Sequence, residues 1–309
     1  MEEVQNIHTA GITRPVYKNV SSLPVISRYH TPMTDADLHD FALQLRRDII
    51  EITYYSGTQS SHVGGELSSA EILAVLYGAF LNLRPQEPEW PLRDIFVMSK
   101  GHCSAVLYAA MAWRGFFGRE MLWNEFNRAG GILQEHCSPC LPGVEAPTGS
   151  LGMGLSNGAG YAWAAKHNSQ PDRRVVVLLG DGECTEGQTW EGAALGAQLK
   201  LTNLIALVDY NKYIISSTTA QVMDLEPFEA RWQAYRWHTQ RVDGHDVAAL
   251  RVALAIARDP ATAPGQPRVI ICDTKKGAGI SFMEQDAIHW HAGHLNDESY
   301  HRCMKELGL

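Results

Sequence analysis

The tripeptide Gly180-Asp181-Gly182 directly follows five hydrophobic residues, VVVLL, at positions 175–179. Glycines let a backbone turn sharply and approach a phosphate closely, and an aspartate supplies the hard oxygen ligand that Mg²⁺ prefers. The same tripeptide also suits an ordinary turn between a strand and a helix. Alone, it leaves a phosphate site and a plain turn both open.

A second polar side chain ends the next hydrophobic run. Asn211 follows LIALVDY, thirty residues after Asp181. The carboxyl ends of parallel strands meet at one edge of a sheet, so a carboxylate and an amide oxygen placed there can converge on one cation. A diphosphate bridged by Mg²⁺ would fill the space between them, because this ion usually keeps phosphate oxygens in its shell.

The surrounding pattern predicts the sheet that this geometry needs. Short runs rich in Val and Ile, at 94–99, 173–181, 203–210 and 267–274, are hydrophobic on both faces and alternate with helical stretches at 151–168, 186–200 and 246–258. Such alternation is typical of a doubly wound α/β fold, with a parallel sheet covered by helices on both faces.

The chain is predicted to hold one such domain after an N-terminal arm. Residues 1–33 lack periodicity and contain three prolines, which favours an extended arm. From Thr34, apolar residues recur at spacings of three and four, which predicts an amphipathic helix that is capped by Thr34 or Asp35 and stops at Gly57. A further helix is expected at 68–82, and the α/β domain over 34–309.

Composition narrows the class of protein. The 309 residues are 45% hydrophobic and carry a net charge of -8, which argues against nucleic acid or an anionic membrane as a general partner. The sequence contains neither an apolar run of about 18 residues nor a secretory signal, so a cytoplasmic location is expected. Six scattered cysteines are too sparse for a disulfide scaffold.

Two other motifs suggest competing chemistry. The stretch HCSPC, with His136, Cys137 and Cys140, could begin a zinc site or a redox pair, but a fourth zinc ligand is not apparent and the pair lies in a proline-rich loop. Gly152, Gly154 and Gly158 approach a dinucleotide fingerprint, but the required preceding strand is replaced by a loop.

Several separated stretches together resemble the N-terminal half of transketolase, from about Thr34 to Glu298. They are SSHVGG, FVMSKGHCSAVLYA, PGVEAPTGSLGMGLSNGAG, GDGECTEGQTWEG, LVDYNKY and KGAGISFME with HWH. The resemblance implies the thiamine diphosphate-binding fold, thiamine diphosphate and Mg²⁺ as cofactors, and transfer of a two-carbon ketol unit from a ketose, usually phosphorylated, to an aldehyde.

The resemblance also implies roles for individual residues. Asp181, Asn211 and the carbonyl of Tyr213 would hold Mg²⁺, and Gly182 and His102 would contact the diphosphate. His62, His136 and His291, with His102, would line the substrate channel and assist proton transfer, a task that suits imidazole because it titrates near neutrality. The remaining cofactor positions are Gly149, Leu151, Gly180, Glu186 and Ile215, and His291 is counted among them as well as in the channel.

Other residues are less firmly placed by the sequence. Lys276 lies in a glycine-rich loop that in the family closes over the cofactor. A solvated surface lysine is an equally good interpretation of this position. His289 and His294 crowd His291, so the register there is open. The histidines at 8, 30, 39, 167 and 238 are expected to be surface residues.

The resemblance places the glutamate that activates the pyrimidine ring on a second domain, for which this sequence has no counterpart. A separate subunit with a pyrimidine-binding domain, in an assembly of two copies of each chain, is therefore expected; a non-catalytic scaffold is the alternative. The reaction also stays open, because related two-chain enzymes pass the unit to a lipoyl group on a carrier protein. Glu135 and Cys137 replace the glycine and proline that usually flank the channel histidine, which suggests a specialised substrate.

Overall fold

The computed structural model describes residues 32–56, 61–170 and 172–309. Five strands form one sheet: β1 Ile95–Met98, β2 Val175–Gly180, β3 Leu204–Tyr210, β4 His238–Asp243 and β5 Arg268–Asp273. Their order is β1-β2-β3-β5-β4, and every neighbouring pair is parallel. The predicted parallel sheet is confirmed, and the four predicted strands differ from the observed ones by one or two residues at their ends.

Helices connect and cover the strands. They are α1 Asp35–Tyr55, α2 Val63–Ser68, α3 Ala70–Val75, α4 Ser104–Arg114, α5 Met121–Asn124, α6 Met153–His167, α7 Gly187–Gln198, α8 Thr219–Val222, α9 Phe228–Ala234, α10 Val247–Arg258, α11 Ser281–Gln285 and α12 Asp297–Glu306. The helix expected at 68–82 is present as α3, which continues as the π-helical turn Leu76–Phe80, and the short helix α2 precedes it.

The central strands bury both of their faces. Val176 and Leu178 of β2 belong to a core that also contains residues of α1, α4 and α10. Val175, Val177 and Leu179 belong to a second core with residues of α6 and α9. Because side chains alternate across a strand, helices cover the sheet on both sides, as expected for a doubly wound fold.

The sequence signals for α1 correspond to its observed start. The Thr34 side chain accepts a hydrogen bond from the Asp37 amide, and the Asp37 side chain accepts one from the Thr34 amide, forming a capping box. Leu38, Leu45 and Ile49 are fully buried. Gly57, the predicted stop, lies outside the described residues, and the described helix ends at Tyr55.

Strand β4 was not predicted from the sequence. It lies at one edge of the sheet, and its residues, HTQRVD, are mostly polar and none is fully buried. The Arg241 guanidinium donates to both carboxylate oxygens of Asp273 on β5, at 2.7 and 2.9 Å. A polar edge strand carries no continuous apolar run, so the pattern that identified the other four strands does not occur here.

The predicted arm lies almost entirely outside the described part of the chain, so the boundary at 33/34 stays a prediction. Within the described part, Met33 is buried against the turn that follows α3, and its amide donates to the Gly78 carbonyl at 3.3 Å. Among the described residues, no helix combines the length and apolar character needed to cross a bilayer.

Two glycines of α6 provide a matched test of this packing. A Cβ on Gly158 would lie 2.4 Å from Cγ2 of Val177, whereas a Cβ on Gly160 would meet nothing within 4 Å. We expect Gly158→Ala to destabilise the chain by about 1–3 kcal/mol through overpacking. Gly160→Ala should stabilise it by up to about 1 kcal/mol through helix propensity. Denaturant unfolding of both variants measures the difference, and equal midpoints would contradict the close helix-to-sheet contact.

Candidate active site

A cavity of about 410 Å³ lies at the carboxyl ends of β2 and β3. Its lining includes the following residues that the sequence analysis singled out for the site: His62, His102, His136, Gly149, Leu151, Gly180, Asp181, Gly182, Glu186, Asn211, Tyr213, Ile215 and His291. These residues come from seven separate stretches of the chain. The structure brings the whole predicted set to one place, and their individual roles stay predictions.

Asp181 lies at the end of β2 with 1% of its surface exposed. Its Oδ1 accepts the Gly182 amide at 2.8 Å, and its Oδ2 accepts the Lys212 amide at 2.5 Å. The Gly182 amide, which the resemblance assigns to the diphosphate, is thus donated to Asp181 here. Burial, reinforced by the nearby Asp209 carboxylate, raises the pKa of Asp181 to about 7. A cation beside this carboxylate would offset both effects.

Asn211 directly follows β3, the strand that pairs with β2, and is 7% exposed. Its Nδ2 donates to Oδ2 of Asp209 at 3.1 Å, and its Oδ1 accepts the Tyr213 amide at 3.1 Å. Gly180 and Asp209 are register partners, so Asp181 and Asn211 occupy adjacent strand ends. Both residues also line the cavity, and their joint binding of one cation stays a prediction.

Asp209 is a buried acid that the sequence analysis did not single out. Its carboxylate forms an ion pair with the Lys100 ammonium, accepts the Ser68 hydroxyl at 2.6 Å and accepts the Thr274 hydroxyl. Burial opposes its ionisation, but these contacts outweigh burial and lower the pKa of Asp209. The available signal was a charged residue inside an otherwise apolar run, matched by Lys100 directly after FVMS.

Four histidines surround one another across the cavity. The ring of His62 lies 4.9 Å from that of His102, 5.3 Å from that of His291 and 6.0 Å from that of His136, measured between centroids. Burial and the nearby Lys100 hold the pKa of His102 well below its usual value. Burial and Lys276 lower the pKa of His291 to about 3. These two rings are neutral at physiological pH and can exchange hydrogen bonds with uncharged hydroxyls.

Lys276 is buried rather than solvated, with 3% of its surface exposed. Its ammonium donates to the Ile214 carbonyl at 3.0 Å and lies 2.5 Å from Nδ1 of His291. Burial and the charge of Lys100 lower the pKa of Lys276 to about 8. Within the described residues, no ion pair joins Lys276 to a carboxylate, so an anion in the cavity would stabilise its charge.

The chain closes around the cavity through a short backbone contact. Ser61 and Gly293 form an antiparallel bridge, in which each amide donates to the other residue's carbonyl at 3.0 Å. The bridge places His62 beside His291. Of the three histidines in IHWHAGH, His291 lines the cavity, and neither His289 nor His294 belongs to its lining.

The open side of the cavity is lined by exposed residues. Ile215 is 69% exposed, and Glu186 is also exposed at the start of α7.

Gly149 has a φ of +136°, and a Cβ there would lie 2.8 Å from Cδ2 of His136. A side chain at position 149 would therefore displace one of the cavity histidines.

The two cysteines of HCSPC differ in their exposure. Cys137 is buried and Cys140 exposed, both as free thiols. In the described part of the chain, no group of three or more His, Cys, Asp or Glu side chains is arranged to hold a metal ion. The structural zinc site considered for HCSPC therefore has no complete ligand set there.

Most of the chain matches one known protein family. Residues 45–309 match the transketolase thiamine diphosphate-binding domain. The chain belongs to the transketolase family. The match confirms the predicted resemblance to transketolase. The description of the matched domain supports thiamine diphosphate as the cofactor.

Transketolase relatives of similar length have names that refer to subunits. The chain is 40% identical over 247 residues to a 6-deoxy-6-sulfo-D-fructose transketolase subunit of Clostridium sp. strain MSTE9, covering 80% of this chain and 88% of that protein. It is 38% identical over 262 residues to an apulose-4-phosphate transketolase subunit of Phocaeicola vulgatus, covering 85% and 90% respectively. The word subunit in both names implies that these relatives work with a separate partner chain.

Solved transketolase structures agree with the fold. Transketolase from Campylobacter jejuni superposes with a TM-score of 0.82 at 28% sequence identity, covering 90% of this chain and 43% of that one. The shared part is thus less than half of that transketolase.

Proposed function

We propose that this chain is the cofactor-diphosphate subunit of a two-chain, cytoplasmic transketolase. It would bind thiamine diphosphate with Mg²⁺ and transfer a two-carbon ketol unit from a ketose to an aldehyde. The observation that carries the proposal is the pairing of buried Asp181 with Asn211 at adjacent strand ends, beside a buried lysine that lacks a carboxylate partner among the described residues.

The donor set suits a magnesium diphosphate. Asp181 would supply a carboxylate oxygen, Asn211 an amide oxygen and Tyr213 its backbone carbonyl, all of which are hard oxygen ligands. His102 and Lys276 would bind the diphosphate oxygens. When bound, thiamine diphosphate supplies the carbanion-stabilising chemistry that carbon–carbon cleavage needs.

The histidine cluster would handle the substrate hydroxyls. An imidazole ring has two nitrogens that can donate or accept hydrogen bonds, so His62, His136 and His291 can hold a sugar chain and move its hydroxyl protons. His62 and His291 are linked through the Ser61–Gly293 bridge, which fixes their spacing before substrate arrives. The role of this chain is therefore to orient the ketose and move its protons.

Glu135 supports a specialised substrate. Its Oε1 lies 3.0 Å from Nδ1 of His62, although the two atoms are not aligned as a hydrogen bond. The contact with His62 lowers the pKa of Glu135, so a carboxylate lies beside a channel histidine. A ketose other than the ordinary pentose phosphates is the donor that we expect, in line with the 6-deoxy-6-sulfo-D-fructose and apulose 4-phosphate in the names of the two relatives.

The active assembly would contain two copies of each chain, with sites at the interfaces between them. The partner would bring the pyrimidine-binding domain and its glutamate. The names of the two subunit relatives support a separate partner. Neighbouring reading frames are the first place to seek a chain of about one domain's size.

Reconstitution tests the proposal. Mixed with its partner, the chain is expected to bind thiamine diphosphate only when Mg²⁺ is present and to transfer a ketol unit between a ketose and an aldehyde. Calorimetric titration measures binding, and chromatography of the sugars measures transfer. Full activity of this chain alone would overturn the two-chain proposal, and stabilisation by NAD but not by thiamine diphosphate would overturn the cofactor.

A further inference from the structure

A partly buried polar cluster lies outside the lining of the cavity. It consists of Arg46 on α1, Glu71 on α3 and His245 between β4 and α10, which we call the clasp. Arg46 donates to both oxygens of Glu71, at 2.6 and 2.7 Å. Nδ1 of His245 lies 2.9 Å from Oε2 of the same carboxylate. The side chains of Arg46 and Glu71 are 8% and 9% exposed.

Both ends of the clasp contact one loop, residues 275–280 between β5 and α11. The Lys275 amide donates to Nε2 of His245 at 2.9 Å. The Arg46 Nε donates to the Ala278 carbonyl at 2.8 Å. Lys276, which lines the cavity, lies between these two attachment points.

The contacts define the protonation of His245. A backbone amide can only donate, so Nε2 accepts and carries no proton. The ring is therefore neutral with its proton on Nδ1, which donates to Glu71. Burial opposes the ionisation of Glu71, but the hydrogen bond from His245 and the charge of Arg46 outweigh it and lower the pKa of Glu71 to about 2. Each polar group of the chain Arg46–Glu71–His245–Lys275 thus has a partner of the correct type.

We propose that the clasp positions Lys276 against the cavity by holding the 275–280 loop at both ends. Arg46, Glu71 and His245 are positioning residues, since they are not part of the cavity lining. The ligand that Lys276 would meet, an anionic phosphate ester, rests on the proposed function, whereas the hold on the loop does not.

Two variants of His245 distinguish its contact with Glu71 from its contact with Lys275. The His245→Asn amide lies near the position of Nδ1, so it keeps the contact with Glu71 and loses the acceptor for Lys275. The longer side chain of His245→Gln reaches the position of Nε2 and offers an amide oxygen to Lys275. His39→Asn, at an exposed position on α1, is the matched control.

Hydrogen exchange of the full chain without cofactor reads the loop directly. In peptides covering 274–280, we expect exchange to rise about fivefold in His245→Asn, the effect of one lost hydrogen bond, and to stay near the wild-type rate in His245→Gln and His39→Asn. Unchanged exchange in His245→Asn would overturn the clasp. If His245→Asn fails to fold, Arg46→Lys, which removes the donor to Ala278, is expected to loosen the same peptides, and unchanged exchange there would overturn the clasp equally.

Cofactor affinity then tests the link to Lys276. With the partner chain present, the dissociation constant for thiamine diphosphate should rise severalfold in His245→Asn and be restored in His245→Gln, with kcat unchanged at saturating cofactor. A loosened loop with unchanged affinity would overturn the positioning of Lys276. A loosened loop in a wild-type assembly that never binds thiamine diphosphate would leave the clasp standing and refute the proposed function instead.

Discussion

Replacing Asp181 by alanine is expected to abolish Mg²⁺-dependent binding of thiamine diphosphate. Loss of supporting groups around a metal costs about 10–100-fold in affinity, so loss of a direct carboxylate ligand should cost at least about 100-fold. The reason is that Asp181 is the carboxylate among the three proposed ligands, and Asn211 and the Tyr213 carbonyl bring no charge. Calorimetric titration of thiamine diphosphate into the assembled chain and partner, with and without Mg²⁺, measures the loss of affinity.

Two controls separate ligand loss from misfolding. Asp181→Asn keeps the side-chain volume and an acceptor for one neighbouring amide, and we expect it to lose Mg²⁺ dependence while retaining the circular dichroism spectrum of the wild type. Glu89→Ala removes the same charge from an exposed position and should bind normally. Tight Mg²⁺-dependent binding by Asp181→Asn would show that the metal is held elsewhere.

Asp209→Ala is expected to cost about 3–5 kcal/mol of folding free energy, the usual effect of leaving one partner of a buried ion pair alone. Lys100 is 2% exposed, and its ammonium also contacts the Gly65 carbonyl at 3.1 Å and the Ser69 hydroxyl at 3.2 Å. Neither contact neutralises the charge. Asn211 would also lose the acceptor that orients its amide, so metal binding should weaken as well. Chemical denaturation and titration with Mg²⁺ measure the two effects.

A double-mutant cycle isolates the pair. Lys100→Met and Asp209→Asn each leave a buried group without its charged partner, whereas the double variant removes both charges. We expect the double variant to be more stable than the sum of the single effects allows. Glu87→Ala, which breaks an exposed pair with Arg84, should change stability by less than about 1 kcal/mol. Strict additivity of Lys100→Met and Asp209→Asn would contradict a coupled pair.

The apolar runs predict the central strands well because those strands are buried on both faces. Residues 175–179 leave no polar position for solvent, and their alternate side chains enter the two cores. Strand β4 shows where this reasoning stops, since an edge strand satisfies its exposed side with polar residues such as Arg241. The helix predicted at 68–82 corresponds to α3 and the π-helical turn after it, whereas the six-residue helix α2 is too short for periodicity to reveal.

The site was predictable in part for a similar reason. Gly180-Asp181-Gly182 and Asn211 mark strand ends, so their convergence follows from parallel topology. Asp209 and Lys100 were missed because a run of apolar neighbours hides a charge whose partner lies on another strand end. The histidines could be grouped only through the family resemblance. The clasp contacts join positions far apart in sequence, so local patterns do not indicate them.

The bridge between Ser61 and Gly293 joins segments from near the two ends of the described chain. The cavity wall that contains His62 and His291 cannot form until residue 293 has left the ribosome. Domains generally fold as units during synthesis, so the sheet can assemble earlier than this wall. A nascent chain halted before residue 293 would consequently hold the sheet but lack the bridge that closes this wall of the cavity.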